Sequence, residues 1–231
     1  MPNFQALNSH QHQKLKVKTD GKFSHASNSH VVPLSVFELT QAQADYPIVL
    51  IKDSQTGQFH LVALVGLKPN ENLFNRGECW QAEYIPMQLQ GYPLALTQAA
   101  ENDDKQVVVI DLDAESVSET QGGELFTGDG QQSTLLADKI ELMSKFHAQL
   151  RATQHFTKLL VSNELVSPQA LTVKTKQGEE VNLTGLYIVD ESKLNALPSD
   201  KFDGLKKENL LAPIYACIFS LQRISRLISL T

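Results

Sequence analysis

The pattern of hydrophobic and polar positions changes near residue 31. Before it, Asn, Gln, Ser, His and Lys dominate and the apolar residues show no periodicity. Such a segment buries too little apolar surface to offset the entropy lost on ordering, so we predict a flexible polar leader over residues 1–30. Residues 31–231 are patterned throughout. They are long enough for one domain, or for two tightly packed subregions, 31–120 and 131–231, divided by a glycine-rich stretch.

Short apolar runs bounded by turn residues predict strands in the first part of this domain. Asp53, Ser54 and Gly57 favour a turn between two of these runs, which predicts an antiparallel hairpin. Residues 107–112 form a continuous apolar run rich in β-branched side chains, which is typical of a strand covered on both faces. We expect that strand at the centre of a sheet. The predicted strands are 31–34, 48–52, 59–67, 80–85, 93–96 and 107–112.

The hydrophobic period becomes helical after residue 130. Leu136, Ile140 and Met143 recur at spacings of three or four, and the pattern continues to residue 160. It predicts one helix over 132–163, or two helices with a break near 151–154. Ser133 or Thr134 is the expected N-cap.

A second hairpin and further helices are predicted towards the end of the chain. The hairpin strands are 171–175 and 181–183, with a continuation at 187–189. One helix is expected from Ser192 and a longer one from Pro213, a residue suited to the first helical position. The fold class is therefore α+β, an antiparallel sheet region followed by a helical segment, a second hairpin and C-terminal helices.

Charge and hydropathy exclude two classes of partner. Twenty basic and 26 acidic residues give a net charge of −6 and provide no stripe for phosphate neutralisation, so nucleic acid is not expected as a partner. The longest apolar stretch, 210–230, is interrupted by Pro213, Arg223 and Arg226, so we expect a packed helix and no membrane span. Residues 1–30 lack the features of a signal peptide, which favours a cytoplasmic location.

Candidate metal ligands occur at two places. Asp111 and Asp113 follow the apolar run and place two carboxylates on one face, as hard-cation sites do, and an enzyme could combine them with a histidine. Strand-end carboxylates are also common as solvated turn residues. The histidines at 10, 12, 25 and 30 suggest either a metal-binding tail or a solvated one.

Other catalytic signatures are weak. The glycines of residues 122–130 lack the Lys and Ser or Thr that a phosphate-binding loop requires, and Asp129 stands there instead. Cys79 and Cys217 form no paired motif, so neither a disulfide framework nor a zinc site is expected. We expect no cofactor, and the sequence favours a protein without catalytic activity.

Aromatic residues and prolines are concentrated between residues 46 and 93. Trp and Tyr are frequent anchors of binding interfaces, so this block is our candidate recognition site, with a role in the core as the alternative. The candidate binding residues are Tyr46, Trp80, Tyr84, Pro86, Tyr92 and Pro93.

Five ordered blocks of the sequence resemble the SapC family. They are Tyr-Pro-Ile-Val at 46–49, Gly-Leu followed by Glu-Asn-Leu-Phe within 66–74, Trp80 with Tyr-Ile-Pro at 84–86, Tyr-Pro at 92–93, and Gly-Leu-Tyr-Ile-Val-Asp-Glu at 185–191. Tyr215-Ala216 and Ser220-Leu221 match the closing helix of the family. The resemblance covers residues 31–230.

The resemblance implies a bacterial protein and leaves its activity open. The family takes its name from a surface-layer locus, and many members look like accessory proteins encoded beside flavin-dependent tryptophan-halogenase-like enzymes and outer-membrane receptors. It supplies no catalytic residues. We therefore expect a non-catalytic accessory protein that binds a protein or peptide partner, with such an enzyme as the candidate partner. The alternatives are an enzyme with an acidic and histidine site, and a structural surface-layer component. The oligomeric state stays open.

Overall fold

The computed structural model describes residues 3–75, 79–98 and 106–231. Within these ranges the chain forms eleven strands and eight α-helices. The strands are β1 (Phe4–Ala6), β2 (Lys16–Val17), β3 (Val31–Pro33), β4 (Ile48–Lys52), β5 (Phe59–Leu64), β6 (Leu94–Gln98), β7 (Gln106–Asp111), β8 (Val117–Ser118), β9 (Gly123–Glu124), β10 (Val166–Lys174) and β11 (Glu180–Val189). The helices are α1 (Ser9–His12), α2 (Leu39–Ala42), α3 (Met87–Gly91), α4 (Thr134–Ser162), α5 (Glu191–Asn195), α6 (Ser199–Lys207), α7 (Leu211–Ser220) and α8 (Ile224–Ser229).

The strands form three antiparallel sheets, so the fold is α+β as the sequence predicts. The largest has the order β10-β11-β4-β5-β3 and joins the two predicted hairpins, because β11 pairs with β4 through Leu186–Ile51 and Tyr187–Leu50. A second sheet has the order β1-β7-β6 and a third the order β8-β2-β9. The predicted central position of residues 107–112 is confirmed in the second sheet, where β7 lies between two partners.

Two hydrophobic cores lie on different parts of α4. The large core surrounds the five-stranded sheet and includes Phe156 and Leu160 from the second half of the helix. The small core includes Leu136 and Met143 from its first half, together with residues of β2, β6 and β7. With 29 residues, α4 is about 43 Å long, which is enough to reach both cores.

The boundaries of the cores differ from the predicted subregions. Strands β3, β4 and β5 share a sheet with β10 and β11, because hydrophobic strands distant in sequence complete one another's hydrogen bonds. A division into 31–120 and 131–231 would cut that sheet between β4 and β11.

The first thirty residues differ from the predicted flexible leader. Residues of β1 pair with β7, and Val17 of β2 is 1% exposed in the small core. Sequence composition misses this because pairing with strands from distant parts of the chain satisfies the backbone of a polar segment. Residues 3–30 are thus part of the fold.

The helical predictions agree with the structure in type and differ in detail. Residues 134–162 form one unbroken helix, and Ser133 is its N-cap, accepting a hydrogen bond from the Leu136 amide at 3.1 Å. Pro213 lies third in α7, still within the first turn, whose amide hydrogens have no partner inside the helix. Of residues 80–85, predicted as a strand, Trp80 forms an isolated antiparallel bridge with Asn75 and residues 81–84 form bends.

The apolar stretch near the C-terminus is packed against the large sheet. Helix α7 contacts β4 and β11, and the Ser220 hydroxyl accepts a hydrogen bond from the Ile48 amide at 2.9 Å. Ile214 and Leu227 are fully buried. Within the described residues, no helix combines the length and the apolar character that crossing a bilayer requires.

Candidate functional site

Three of the predicted recognition residues form one hydrogen-bonded network inside the large core. The Trp80 indole donates to the Tyr46 hydroxyl at 2.6 Å, and that hydroxyl donates to the Tyr84 carbonyl. The Tyr84 hydroxyl in turn donates to Glu38 Oε1 at 2.9 Å. Tyr46 and Trp80 are 0% and 7% exposed, so most of their surface contacts the protein itself.

Two carboxylates fix the loop that carries this network. Asp45 is 3% exposed, pairs with the Arg226 guanidinium and accepts the Tyr84 amide at 2.8 Å. Glu38 accepts the Ser35 amide at 2.7 Å and the Met87 amide at 2.8 Å. Because side chains satisfy the Tyr84 and Met87 amides, these two positions need no strand partner. This explains the bends where a strand is predicted.

The six predicted binding residues divide by burial. Tyr46, Trp80, Pro86 and Pro93 are buried, whereas Tyr84 and Tyr92 are half-buried. Burial raises the pKa of Tyr84, and the adjacent Glu38 raises it further. Tyr92 is the member of the set that lies on a cleft.

Tyr92 contacts residues from three distant segments of the chain. Its hydroxyl donates to Asp111 Oδ2 at 2.8 Å, and its backbone carbonyl accepts a hydrogen bond from Lys139 of α4 at 3.2 Å. Its ring stacks on the imidazole of His25, with centroids 3.9 Å apart and planes 21° apart. Burial raises the pKa of Tyr92, and the hydrogen bond to Asp111 adds to the increase, so the phenol is a hydrogen-bond donor at neutral pH.

The stacked His25 and Tyr92 rings separate two cavities, which together form what we call the Tyr92 cleft. Both rings line each cavity. The cavity lined by charged side chains, which we call the polar cavity, has a volume of about 250 Å³. The cavity lined mainly by aliphatic side chains, which we call the apolar cavity, has a volume of about 270 Å³. The cleft therefore offers a polar and an apolar compartment side by side.

Basic residues dominate the charges of the polar cavity. Lys18, Lys22 and Lys139 line it, and Asp20 is the acidic residue among its lining. Burial lowers the pKa of Lys139, whose ammonium donates to the Gln90 carbonyl at 2.7 Å as well as to that of Tyr92. No ion pair involves these three lysines within the described ranges.

Residues of β3, α3 and β6 line the apolar cavity. Phe4, 44% exposed, lies at the same cavity, and Gln88 of α3 is an exposed member of its lining. The aliphatic residues of the cavity are Val31, Val32, Pro33, Leu89, Leu94 and Ala95.

The environment of His25 keeps its imidazole neutral. His25 is an exposed residue, but Tyr92 covers one face of its ring and Phe23 packs edge-on with ring centroids 6.1 Å apart. Desolvation in the cleft lowers the pKa of His25 to about 4, and the positive charge of Lys139 acts in the same direction. At neutral pH the ring is therefore an uncharged aromatic surface with one donor and one acceptor nitrogen.

The structure separates the two proposed metal ligands by their surroundings. Asp111 is 3% exposed, and Oδ1 accepts the amides of Asn3 at 2.8 Å and Asp113 at 3.2 Å. Burial acts to raise the pKa of Asp111, but the hydrogen bonds from Tyr92 and the two amides outweigh it and lower the pKa. Asp113 is exposed. Within the described residues no group of three His, Cys, Asp or Glu side chains is placed to hold a metal ion.

The N-terminal histidines are likewise dispersed. His12 is buried and its Nδ1 accepts the Asn8 amide at 3.1 Å, whereas His10 and His30 are exposed. His25 lies in the cleft. Burial raises the pKa of the Cys217 thiol to about 12, which leaves it protonated at neutral pH.

Sequence reasoning missed most of the polar cavity. Lys18, Lys22, His25, Ser116 and Lys139 come from three distant segments, so no local spacing relates them. Tyr92 was the recognisable member, through its place in an aromatic and proline-rich block. The signal that could have added His25 is its proximity to Phe23, which forms an aromatic pair within the polar segment.

The fold and the cleft define an α+β protein with two cores and a two-compartment cleft between them. A sequence model of the SapC family matches residues 7–227. The chain belongs to the SapC family. No curated protein and no solved structure matches it.

Proposed function

We propose that this protein is a non-catalytic binding protein that recognises a short peptide segment of a partner protein in the Tyr92 cleft. The observation that carries the proposal is the shared wall of stacked His25 and Tyr92 between an apolar and a cationic cavity. A peptide with an apolar side chain next to a negative group would fill both compartments. Charge complementarity then favours an acidic partner segment.

The predicted recognition block contributes in two ways under this proposal. Tyr92 contacts the peptide, while Tyr46, Trp80, Pro86 and Pro93 hold the loop and α3 that form one side of the cleft. Rigid, packed support of this kind reduces the ordering cost of binding. Tyr84 links the supporting network to Glu38.

The partner and compartment are part of the same proposal. The SapC family's association with flavin-dependent halogenase-like enzymes makes such an enzyme the first protein to test as the source of the peptide. A reducing bacterial cytoplasm suits Cys79 and Cys217, which are both free thiols.

The test is a selection of random displayed peptides on the immobilised full-length protein. The expected consensus has one apolar residue next to an acidic residue or a terminal carboxylate. Gln88→Trp, which adds bulk at the apolar cavity from an exposed position, should abolish binding of the selected peptides. Gln41→Trp, at an exposed position of the short helix α2, is the matched control and should bind as the wild type does.

Two results would contradict the proposal. One is a selection that enriches no sequence above the level of an unrelated bait. The other is equal loss of binding in the Gln88 and Gln41 variants, which would place the peptide elsewhere.

A further inference from the structure

Two groups on the polar cavity lack the partners that their chemistry requires. The ammonium of Lys139 is half-buried and donates to two neutral carbonyls, without a carboxylate partner in the described part of the chain. An ammonium has three protons, so one remains for a further acceptor. A desolvated charge is costly unless a counter-charge approaches it.

Ser116 is the second such group. Its hydroxyl is buried and has no hydrogen-bond partner among the described residues. Buried hydroxyls normally find a partner, and leaving one without a partner is unfavourable because the lost hydration is not replaced. Ser116 lines the same cavity as Lys139, and its backbone carbonyl accepts the Lys18 amide at 2.8 Å, which fixes the residue at the cavity wall. The hydroxyl itself is closed to solvent, so a rotation about χ1 is needed to bring it to a ligand in the cavity.

The missing group must accept hydrogen bonds and carry negative charge. The Lys139 ammonium can only donate, the Ser116 hydroxyl can donate as well as accept, and Lys18 and Lys22 add further positive charge. Asp20 lines the polar cavity, and Glu115 lies with Asp20 on a smaller adjoining cavity. The three lysines of the lining outnumber its one carboxylate, Asp20, which favours an anionic ligand.

The remaining lining defines the body of that ligand. Phe23, Ile85, Tyr92 and the neutral His25 ring provide apolar and aromatic surface next to the donors. We propose that the polar cavity is a carboxylate-binding site in which Lys139 and Ser116 hold the carboxylate and the aromatic wall contacts the carbon skeleton attached to it. The carboxylate has two candidate sources, the partner peptide and a free small molecule. For the first source, the site rests on the proposed function, which it deepens.

The first experiment uses phenylacetate as probe and its uncharged isostere phenylacetamide as control. Aromatic ¹H–¹³C spectra of the full-length protein report on His25 and Tyr92 as each compound is added. Phenylacetate should shift both rings saturably at millimolar concentrations, and phenylacetamide should not. Lys139→Met should weaken phenylacetate binding by about tenfold or more, because it removes a charge-assisted hydrogen bond.

Matched variants separate this site from general charge attraction. Lys145→Met removes an exposed lysine of the same helix and should leave binding unchanged. Ser116→Ala should weaken binding severalfold without destabilising the protein, since the hydroxyl it removes has no partner. It also provides a second test if Lys139→Met does not fold.

Several outcomes would overturn the site. They are equal binding of phenylacetate and phenylacetamide, wild-type affinity in both the Lys139 and Ser116 variants, equal loss in Lys145→Met, and the absence of any saturable shift.

A second arm distinguishes the source of the carboxylate. Selected peptides are prepared with their carboxylates and as the corresponding amides. Loss of affinity in the amides, and in Lys139→Met, identifies the peptide as the source. If phenylacetate binds and no peptide is selected, the site stands and the peptide function fails. If peptides bind in a Gln88-dependent but Lys139-independent way, the function stands and the carboxylate site fails.

Discussion

Tyr46 places a polar atom at the centre of the large core, where it has both a donor and an acceptor role. Its hydroxyl accepts from Trp80 and donates to the Tyr84 carbonyl, so one oxygen satisfies two buried groups. Burial raises the pKa of Tyr46, which keeps its proton available for the second bond.

Removing that hydroxyl should therefore leave two partners unsatisfied. We predict that Tyr46→Phe lowers the free energy of unfolding by about 1–3 kcal/mol. The sole tryptophan, Trp80, provides the measurement, since its fluorescence reports both denaturation and the lost hydrogen bond. Tyr215→Phe, at a half-buried ring stacked on Phe219, is the control and should change stability little. A Tyr46→Phe protein as stable as the wild type would contradict the role of the network.

His25 gives the cleft a pH dependence of known sign. Its pKa is about 4 in the folded protein and near 6.5 when unperturbed, so the unfolded chain binds the proton more readily. The stability contributed by the neutral ring is fully present above pH 6.5 and falls as the pH decreases from 6.5 to about 4.

Two measurements check the prediction. The imidazole resonance of His25 should titrate near pH 4, and the wild type should lose more stability than His25→Phe between pH 6.5 and 4. A titration near 6.5 would show that the ring is not desolvated in the cleft. The variant retains an aromatic ring for stacking on Tyr92.

At the scale of elements, local chemistry predicts α4 well. The apolar spacing and the Ser-Thr entry predict its extent, because a helix satisfies its backbone within one segment, but they leave open whether one or two helices fill it. The strands before it depend on partners far away in sequence. The sequence therefore predicts that these strands exist, but it does not predict their order in the sheets. The pairing of β1 with β7 had no local signal at all.

The N-cap of α4 can be tested with adjacent residues. Ser133→Ala should destabilise the protein by about 0.5–2 kcal/mol, because the Leu136 amide loses its acceptor and the Glu124 carbonyl loses a donor at 2.6 Å. Thr134→Ala should be neutral, since Thr134 is exposed within the first turn. Chemical denaturation measures both. Equal effects would assign the cap to neither residue alone.

The sequence blocks that resemble the SapC family have mainly structural positions. Gly66 illustrates this, since a Cβ atom there would lie 2.1 Å from the Glu71 carbonyl oxygen. The Glu71 side chain accepts the Leu67 amide at 2.9 Å, which closes the turn. Recognition of a family from such blocks therefore predicts fold more directly than it predicts a binding site.

At the scale of the whole molecule, the cleft depends on both cores. His25 belongs to a polar segment, Tyr92 precedes β6, and Lys139 lies on α4. The sequence indicates the residue types but not that these residues lie close together, because their proximity depends on how the sheets and α4 pack. The chemistry of the aromatic block indicates Tyr92 as a binding residue, whereas only the tertiary structure shows that Tyr46 and Trp80 are buried.

The sheet order predicts that the two sequence halves do not fold separately. A fragment of residues 31–120 lacks β11 and α7, and β4 would lose the partner that covers one edge and the helix that covers its face. We predict that this fragment alone has no cooperative unfolding transition. Adding residues 131–231 without residues 3–30 should not restore such a transition. Calorimetry of the fragments checks this. A cooperative transition in 31–120 alone would show an independent domain.

The pairing of β4 with β11 also means that β4 stays without one of its strand neighbours during much of translation. Strand β4 leaves the ribosome early, but its neighbour is encoded more than a hundred residues later, at 180–189. During that interval β4 presents an open edge and an uncovered apolar face, features that invite aggregation. Nascent chains of this protein should therefore depend on a chaperone until β11 and α7, residues 180–220, have been made.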